Sequence, residues 1–330
     1  MSSIAEERIR VYKARGGEIE SRRSEENGEG TMTTSRRELL KAIPAATLLA
    51  ASSAVPAGAI PPFARAGKPR LRLGLAGYSM RDHLTGKLQP AMDIHGFIEK
   101  AAQWEVDAVE LTSYYFPPDF TPAYVAGLKR HCHLLGIDVS ATPIRNTFTH
   151  SAGPEREKEI AHVKRWLDVA RDLGSPAIRI FAGDAAKGQP EPEARRHCVE
   201  AIEACADHAA TRGVFLALEN HGGVVAEPDG LLEIVRAVES EWFGVNLDTG
   251  NFHGEDPYAD LARCLPYAVT VQVKVEMQAK GGPKQEADFG RLVRMVKESG
   301  YRGYVTLEYE AAEAPLTAIP RLLDRLRALL

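Results

Sequence analysis

The stretch EPEARRHCVEAIEACADHAATRGVFLALEN, residues 191–220, contains one complete repeat of the pattern that determines the fold. Apolar residues recur at helical spacing over residues 191–212, and Gly213 follows where a left-handed cap ends a helix. Residues 214–218 are then a short apolar run of the kind that forms a buried strand. A helix, a glycine and a buried strand in this order predict a parallel strand reached by a crossover helix.

The same unit recurs along the chain after Gly67. Predicted strands cover residues 71–76, 106–111, 137–142, 177–181, 214–218, 243–247, 269–275 and 303–309. Predicted helices cover residues 94–104, 122–135, 154–173, 191–212, 228–239, 258–265, 288–299 and 314–329. Eight units in residues 67–330 predict an α/β protein with one (β/α)8 TIM barrel, for which ~250 residues are typical. An open, doubly wound sheet is the alternative, but no G-x-G-x-x-G sequence follows the first strand to support dinucleotide binding.

The first 66 residues differ in character from the rest of the chain. Residues 1–31 are polar and charged without apolar periodicity, which predicts a disordered upstream extension. Residues 32–66 resemble a twin-arginine signal peptide, because Arg36 and Arg37 precede two leucines, a lysine and an apolar run. Met32 is therefore the expected translation start.

The apolar run of the predicted signal peptide, residues 42–55, is about 14 residues long, whereas a spanning helix needs ~20. Two small-residue sequences suitable for cleavage follow it, at residues 57–59 and 64–66. We therefore expect export to the periplasm by the twin-arginine route, with no stable membrane span after cleavage. An uncleaved anchor or an amphipathic helix is the alternative interpretation.

Charge and cysteine content exclude several classes of protein. The first 66 residues hold 10 of the 41 Lys and Arg and 8 of the 45 Asp and Glu, so residues 67–330 carry a net charge of −6. Nucleic-acid binding needs a basic patch, so no nucleic-acid partner is expected. The four cysteines lack C-x-x-C spacing, which predicts buried free thiols and no disulfide framework.

Polar side chains follow the later predicted strands, at the end of the barrel where active sites of this fold lie. In chain order these residues are Glu219, His221, Asp248, Gln272, Lys274, Glu308 and Glu310. Residues two apart share a face of a strand, so an acidic or amide side chain ends each of four consecutive strands at one level. Three carboxylates and one amide oxygen are hard donors, which favours a shared Mg²⁺ or Mn²⁺ ion.

Four motifs carry a resemblance to a known family. They are LALENHGG at 216–223, VNLDTGNF at 245–252, VQVKVE at 271–276 and GYVTLEYE at 303–310. In this order and spacing the chain resembles the xylose isomerase-like barrel family of sugar isomerases and epimerases. It is most similar to the branch that contains ketose 3-epimerases, hydroxypyruvate isomerases and inosose dehydratases.

The resemblance implies one divalent metal held by the ends of strands five to eight. The implied ligands are Glu219, Asp248, Gln272 and Glu308, with Mn²⁺ or Mg²⁺ expected and Co²⁺ or Zn²⁺ as further options. Gln272 departs from the family pattern, which usually has histidine there in a His-x-Lys-Asp sequence. Many relatives also have a histidine three residues after the aspartate, where this chain has Asn251 and then His253 two positions further on.

The resemblance also implies catalytic and substrate-binding roles. Glu219 and Glu308 are the implied acid and base of an enediolate mechanism. The residues implied in substrate binding are Arg179, His221, His253 and Lys274. Lys274 either stabilises the enediolate or pairs with Glu276, and both interpretations stay open.

Three functions follow in order of preference. The first is a metal-dependent isomerase or epimerase of a sugar or ketose-like polyol. The second is a lyase or dehydratase on the same barrel, which shares the proton abstraction but expels a β-substituent. The third is a non-catalytic periplasmic sugar-binding protein, which the departure at Gln272 suggests. Barrels of this kind often pair, so a homodimer is an open expectation.

Overall fold

In the computed structural model, which describes residues 60–330, eight parallel strands alternate with eight longer helices. The strands are β1 (Arg70–Ala76), β2 (Ala108–Glu110), β3 (Asp138–Ala141), β4 (Ala177–Ile180), β5 (Phe215–Glu219), β6 (Phe243–Asp248), β7 (Ala268–Lys274) and β8 (Arg302–Glu308). Each is followed by a helix: α1 (Ile94–Gln103), α2 (Pro122–Leu135), α3 (Pro154–Leu173), α4 (Glu191–Arg212), α5 (Pro228–Ala237), α6 (Pro257–Cys264), α7 (Phe289–Glu298) and α8 (Pro315–Arg327). The upstream extension and most of the predicted signal peptide lie outside the described residues.

The strands are hydrogen-bonded in the order β3-β2-β1-β8-β7-β6-β5-β4. Between β3 and β4 the ring is closed just beyond β3, where the backbone N–H of Thr142 donates to Ala177 O (2.9 Å). A second bond joins Ile144 N to Arg179 O (3.0 Å). The predicted (β/α)8 barrel is therefore confirmed, and the open sheet is excluded. Each predicted strand and helix is present, with its ends displaced by at most two residues.

Local sequence explains where the helices begin and end. Proline occupies the first turn of α2, α3 and α5, where its missing N–H costs no hydrogen bond. At the end of α4, Gly213 has φ 65° and ψ 36°, a left-handed conformation that glycine adopts without a Cβ clash. The reversal at Gly213 directs the chain into β5, as the opening stretch predicts.

The main apolar core lies between the strands and the surrounding helices. A second, small cluster of Ala141, Ala177 and Ala217 lies on the inward face of β3, β4 and β5. On α4 the buried face includes Cys198, Ile202, Cys205 and Ala209, which recur at three- and four-residue spacing. All four cysteines are free and buried, as expected. Among residues 60–330, no helix combines the length and the apolar character needed to cross a membrane.

The last residues of the predicted signal peptide contact the N-terminal end of the barrel. Phe63 N donates to Pro266 O (3.0 Å), and the Arg65 guanidinium donates to Ala268 O at the start of β7. The Arg65 guanidinium also lies 5.1 Å from the ring centroids of both Phe63 and Tyr301. Cleavage at residues 57–59 would retain these contacts, whereas cleavage at residues 64–66 would remove them.

We predict that the protein comprising residues 60–330 is more stable than the protein comprising residues 67–330. The shorter protein loses the burial of Ile60, the Phe63 packing and the Arg65 contacts, about 2–3 kcal/mol together. For a protein of this size the Tm should fall by roughly 4–5 °C. Denaturant and thermal unfolding of both proteins measure the difference, and Phe63→Ala in the longer protein should reproduce part of it. Equal stabilities would show that this segment contributes nothing to the fold.

Candidate active site

A cavity of about 370 Å³ opens at the C-terminal ends of the strands. Its lining includes Arg179, Glu219, His221, Asn251, Lys274 and Glu308. A larger hollow of about 840 Å³ lies at the other end of β3, between α2 and α3, and is more open to solvent. We take the smaller cavity as the candidate active site because the buried ionisable groups converge there and not at the larger hollow.

Register between neighbouring strands brings the polar side chains to one level. β5, β6, β7 and β8 lie side by side in the barrel. Asp248 is paired in register with Gln272, and Lys274 is paired with Glu308. Because alternate residues of a strand share a face, Gln272 and Lys274 both point into the barrel.

Glu219 ends β5 and forms an ion pair with Arg179 of β4. Arg179 Nε lies 2.9 Å from Glu219 Oε2, and the Arg179 guanidinium stacks 3.9 Å from the ring centroid of Phe181. The other carboxylate oxygen of Glu219 accepts a hydrogen bond from Asn251 Nδ2 (2.9 Å). Burial raises the pKa of Glu219, while attraction to Arg179 opposes the rise and repulsion from Glu308 adds to it.

Asp248 ends β6, and its two carboxylate oxygens have different surroundings. Asn220 holds the backbone of Asp248 by two hydrogen bonds of 2.9 Å, one to its carbonyl oxygen and one from its N–H. Asp248 Oδ1 accepts from Gly250 N (2.8 Å). The buried Oδ2 has no hydrogen-bond partner within residues 60–330 and lies 3.6 Å from Lys274 Nζ. Burial raises the pKa of Asp248, and attraction to Lys274 opposes the rise.

The ammonium group of Lys274 lies among three carboxylates. It contacts the carboxylates of Glu308 and Glu310 and approaches that of Asp248. Burial favours the neutral amine, but the three carboxylates outweigh this effect and raise the pKa of Lys274, so the group is charged. Pairing with Glu276, one of the two interpretations from the sequence, is not found. Among residues 60–330 the cation nearest to the Glu276 carboxylate is Lys284 Nζ, at 4.0 Å.

The side-chain amide of Gln272 is fully engaged by its neighbours. Its Nε2 donates to Glu110 Oε2 (2.7 Å) and to Glu308 Oε2 (3.1 Å). Its Oε1 accepts from Asn246 Nδ2 (2.7 Å), and Asn246 Oδ1 in turn accepts from Thr270 Oγ1 (2.6 Å). The oxygen that was expected to bind a cation therefore accepts a hydrogen bond within the barrel.

Glu110 is a site residue that the sequence analysis did not assign. It ends β2, its side chain is buried, and it reaches Gln272 across the barrel. Burial and repulsion by Glu308 raise the pKa of Glu110 to about 8. The signal in the sequence is a carboxylate at the end of the second predicted strand, the same position that Glu219 and Glu308 occupy on their strands.

The four ligands implied by the sequence do not fit a divalent cation in this arrangement. The carboxylates, including Asp248 Oδ2, are suitable donors. However, Gln272 presents N–H groups to Glu308, and Lys274 adds a positive charge among the acids. Across residues 60–330, no group of three or more His, Cys, Asp or Glu side chains is arranged to hold a metal ion.

The two histidines implied in substrate binding occupy different places. His221 lies at the cavity mouth with its ring centroid 4.5 Å from that of Phe181. His253 lies in an adjoining cavity of about 180 Å³, where its Nδ1 is 3.2 Å from Gln278 O. The predicted site residues that meet in or directly beneath the central cavity are Arg179, Glu219, His221, Asp248, Gln272, Lys274 and Glu308.

Sequence comparison assigns this barrel to a family. The profile described as xylose isomerase-like TIM barrel matches residues 98–329, more than two thirds of the chain. The chain belongs to this family. The resemblance carried by the four motifs is therefore confirmed, and a search of the curated proteins finds no match that would add a narrower assignment.

Solved structures resemble this xylose isomerase-like barrel over most of their length. A xylose isomerase domain protein from Planctomyces limnophilus is 20% identical, with 80% of this chain and 98% of that chain covered and a TM-score of 0.60. D-psicose 3-epimerase in the presence of D-fructose is 18% identical, with 77% and 89% covered and a TM-score of 0.61. The IolI protein with a bound zinc atom is 17% identical, with 78% and 96% covered and a TM-score of 0.63. At these identities the likeness establishes the fold alone.

We predict that Glu110→Gln makes the protein less sensitive to alkaline pH. A carboxyl whose pKa rises from 4.5 to about 8 on folding stabilises the fold below pH 4.5, and this contribution is lost as the pH rises through 8. Between pH 6 and 9 the wild type should lose about 3 kcal/mol of unfolding free energy that the variant retains. Denaturant unfolding in EDTA at both pH values measures this, with the exposed Glu203→Gln as control. An equal pH dependence in wild type and Glu110→Gln would contradict the assignment.

Proposed function

We propose that this protein is an isomerase or epimerase that moves a proton on a sugar or ketose-like polyol through an enediolate. The observation that carries the proposal is a pair of buried carboxylates, Glu219 and Glu308, which line a single cavity and each contact a cation. The cavity volume of about 370 Å³ lies within the ~300–1,000 Å³ of small-molecule sites.

Proton transfer needs groups that can both accept and release a proton near the working pH. Glu219 meets this requirement, because burial raises its pKa toward neutral pH. In the proposed reaction one of the two glutamates removes the proton beside the substrate carbonyl, and the other returns a proton from its own side. Asn251 holds Glu219 in place by its hydrogen bond to Oε1.

Negative charge develops on the substrate oxygens as the enediolate forms, and fixed positive charges stabilise it. Arg179 beside Glu219 and Lys274 beside Glu308 provide two such charges at the cavity wall. His221 at the mouth is suited to bind a substrate hydroxyl, and His253 in the adjoining cavity is suited to a longer substrate. Because Gln272 presents N–H groups and Lys274 adds a positive charge, the residues do not fit the expected Mn²⁺ or Mg²⁺, and no step of the proposed reaction depends on a metal ion.

Family membership and the solved neighbours support this choice of reaction. Among the neighbours are D-psicose 3-epimerase and L-ribulose 3-epimerase, which by their names act on ketoses. We further propose that the protein acts in the periplasm after twin-arginine export and that its ligand is a sugar and not a nucleic acid.

We predict that the protein incorporates solvent deuterium into a ketose at the carbon beside the carbonyl. D-fructose and D-tagatose in D₂O are suitable first probes, read by mass spectrometry and NMR. Glu219→Gln and Glu308→Gln should each lower the exchange rate by about 10²–10⁴-fold, the usual contribution of a general acid or base. The exposed Glu255→Gln is the matched control and should leave the rate unchanged.

Three outcomes of this experiment would redirect the proposal. Product formation with no deuterium in it would contradict an enediolate. A change in substrate mass beyond the exchanged proton would assign the barrel to the lyases or dehydratases. Thermal stabilisation by sugars across a panel, with neither exchange nor product, would identify a non-catalytic sugar-binding protein.

A further inference from the structure

We infer that the ammonium group of Lys274 takes the place of a divalent cation in this barrel. The carboxylates at the ends of β6 and β8 would then be neutralised by a side chain of the protein and not by a bound metal ion. This inference deepens the proposed function and rests on it for the reaction that the cation serves. Its test reads metal binding and is independent of turnover.

The position of the ammonium group is the first observation. Lys274 contacts Glu308 and Glu310 and lies 3.6 Å from Asp248 Oδ2, a buried oxygen that accepts no hydrogen bond from any residue the structure describes. Carboxylates from two strands and the loop after β8 thus surround one positive charge. A hard metal ion would need the same oxygens, so the ammonium group and the metal ion compete for one position.

The fold provides space for the lysine at this position. A Cβ at Gly250 would lie 2.5 Å from Lys274 Cγ and 2.7 Å from Lys274 Cβ, so any side chain there would collide with the lysine stem. The backbone of Lys274 is fixed as well, since its N–H donates to Thr249 Oγ1 (2.9 Å). The loop after β6 therefore leaves a channel that the lysine stem fills.

Gln272 completes the arrangement by satisfying the remaining carboxylates. Its two N–H bonds join Glu110 and Glu308, while its oxygen accepts from Asn246. Turning the amide to present its oxygen to a cation would leave the buried Asn246 amide and Glu110 without partners, which is unfavourable. Gln272 and Lys274, two residues apart on one face of β7, thus supply donors and charge to the same acidic cluster.

The experiment compares Mn²⁺ binding by the wild type and by variants that recreate a metal site. After dialysis against EDTA, the wild type should bind no Mn²⁺ by EPR titration, and Mn²⁺, Mg²⁺, Co²⁺ and Zn²⁺ should leave its Tm unchanged. The double variant Gln272→His, Lys274→Met should bind one Mn²⁺ per chain, with a rise in Tm of about 5 °C at a hundredfold excess over Kd. Adding Asp248→Asn to the double variant should abolish both effects.

Controls make each result decisive. Lys274→Gln alone should also gain Mn²⁺ binding, which keeps the test available if the double variant does not fold by circular dichroism. The exposed Lys280→Gln should gain none. Stoichiometric Mn²⁺ binding by the wild type that Asp248→Asn removes would overturn the inference. Folded Lys274 variants that bind no more Mn²⁺ than the wild type would also overturn it.

The proposed function and this inference can fail separately. Deuterium exchange that survives EDTA supports both. Deuterium exchange together with Mn²⁺ binding by the wild type would support the isomerase function and contradict the replacement of a metal ion by Lys274. No deuterium exchange with any ketose, together with Mn²⁺ binding by the Lys274 variants alone, would have the opposite meaning. It would support the replacement of a metal ion by Lys274 and contradict the isomerase function.

Discussion

Repulsion among carboxylates buried at one end of the barrel is the constraint on which the rest of the site depends. Glu110, Glu219, Asp248 and Glu308 are all buried within one region. Burial of a charged carboxylate is costly unless a cation or hydrogen-bond donors compensate it. Arg179, Lys274 and the amide of Gln272 provide this compensation, and the raised pKa values of three of the acids show that it is incomplete.

Incomplete compensation is what suits the site to proton transfer. A carboxylate with full compensation keeps a low pKa, stays ionised and is a weak base near neutral pH. Here burial raises the pKa of Glu219 while Arg179 and Asn251 still hold the side chain in one orientation. The unfavourable burial of these acids is offset by the rest of the barrel. Seven strand pairings and the closing hydrogen bonds beyond β3 hold the strands that carry them.

β7 shows how one strand changes the character of a shared barrel. The family pattern has histidine where this chain has Gln272, and imidazole is a metal ligand whereas the amide here donates to two acids. The adjacent inward position, Lys274, directs a charge into the same cluster. The lysine belongs to the family pattern, so the departure on this face of β7 is the amide of Gln272, whose N–H groups bind two acids in place of a metal ligand.

The sequence by itself determined the barrel fold and the end of the barrel at which the site lies, because both depend on local periodicity. Helical spacing, capping glycines and apolar runs place all sixteen elements within two residues of their observed ends, and strand alternation places Glu219, Asp248 and Glu308 together. Only the tertiary structure decided which groups meet. The bond from Gln272 to Glu110 joins residues 162 positions apart, Lys274 pairs with β8 and the loop after it and not with its neighbour Glu276, and residues 60–66 contact the barrel. These contacts cross the barrel or its base, and no local pattern encodes the orientation of an amide or the direction of a flexible lysine.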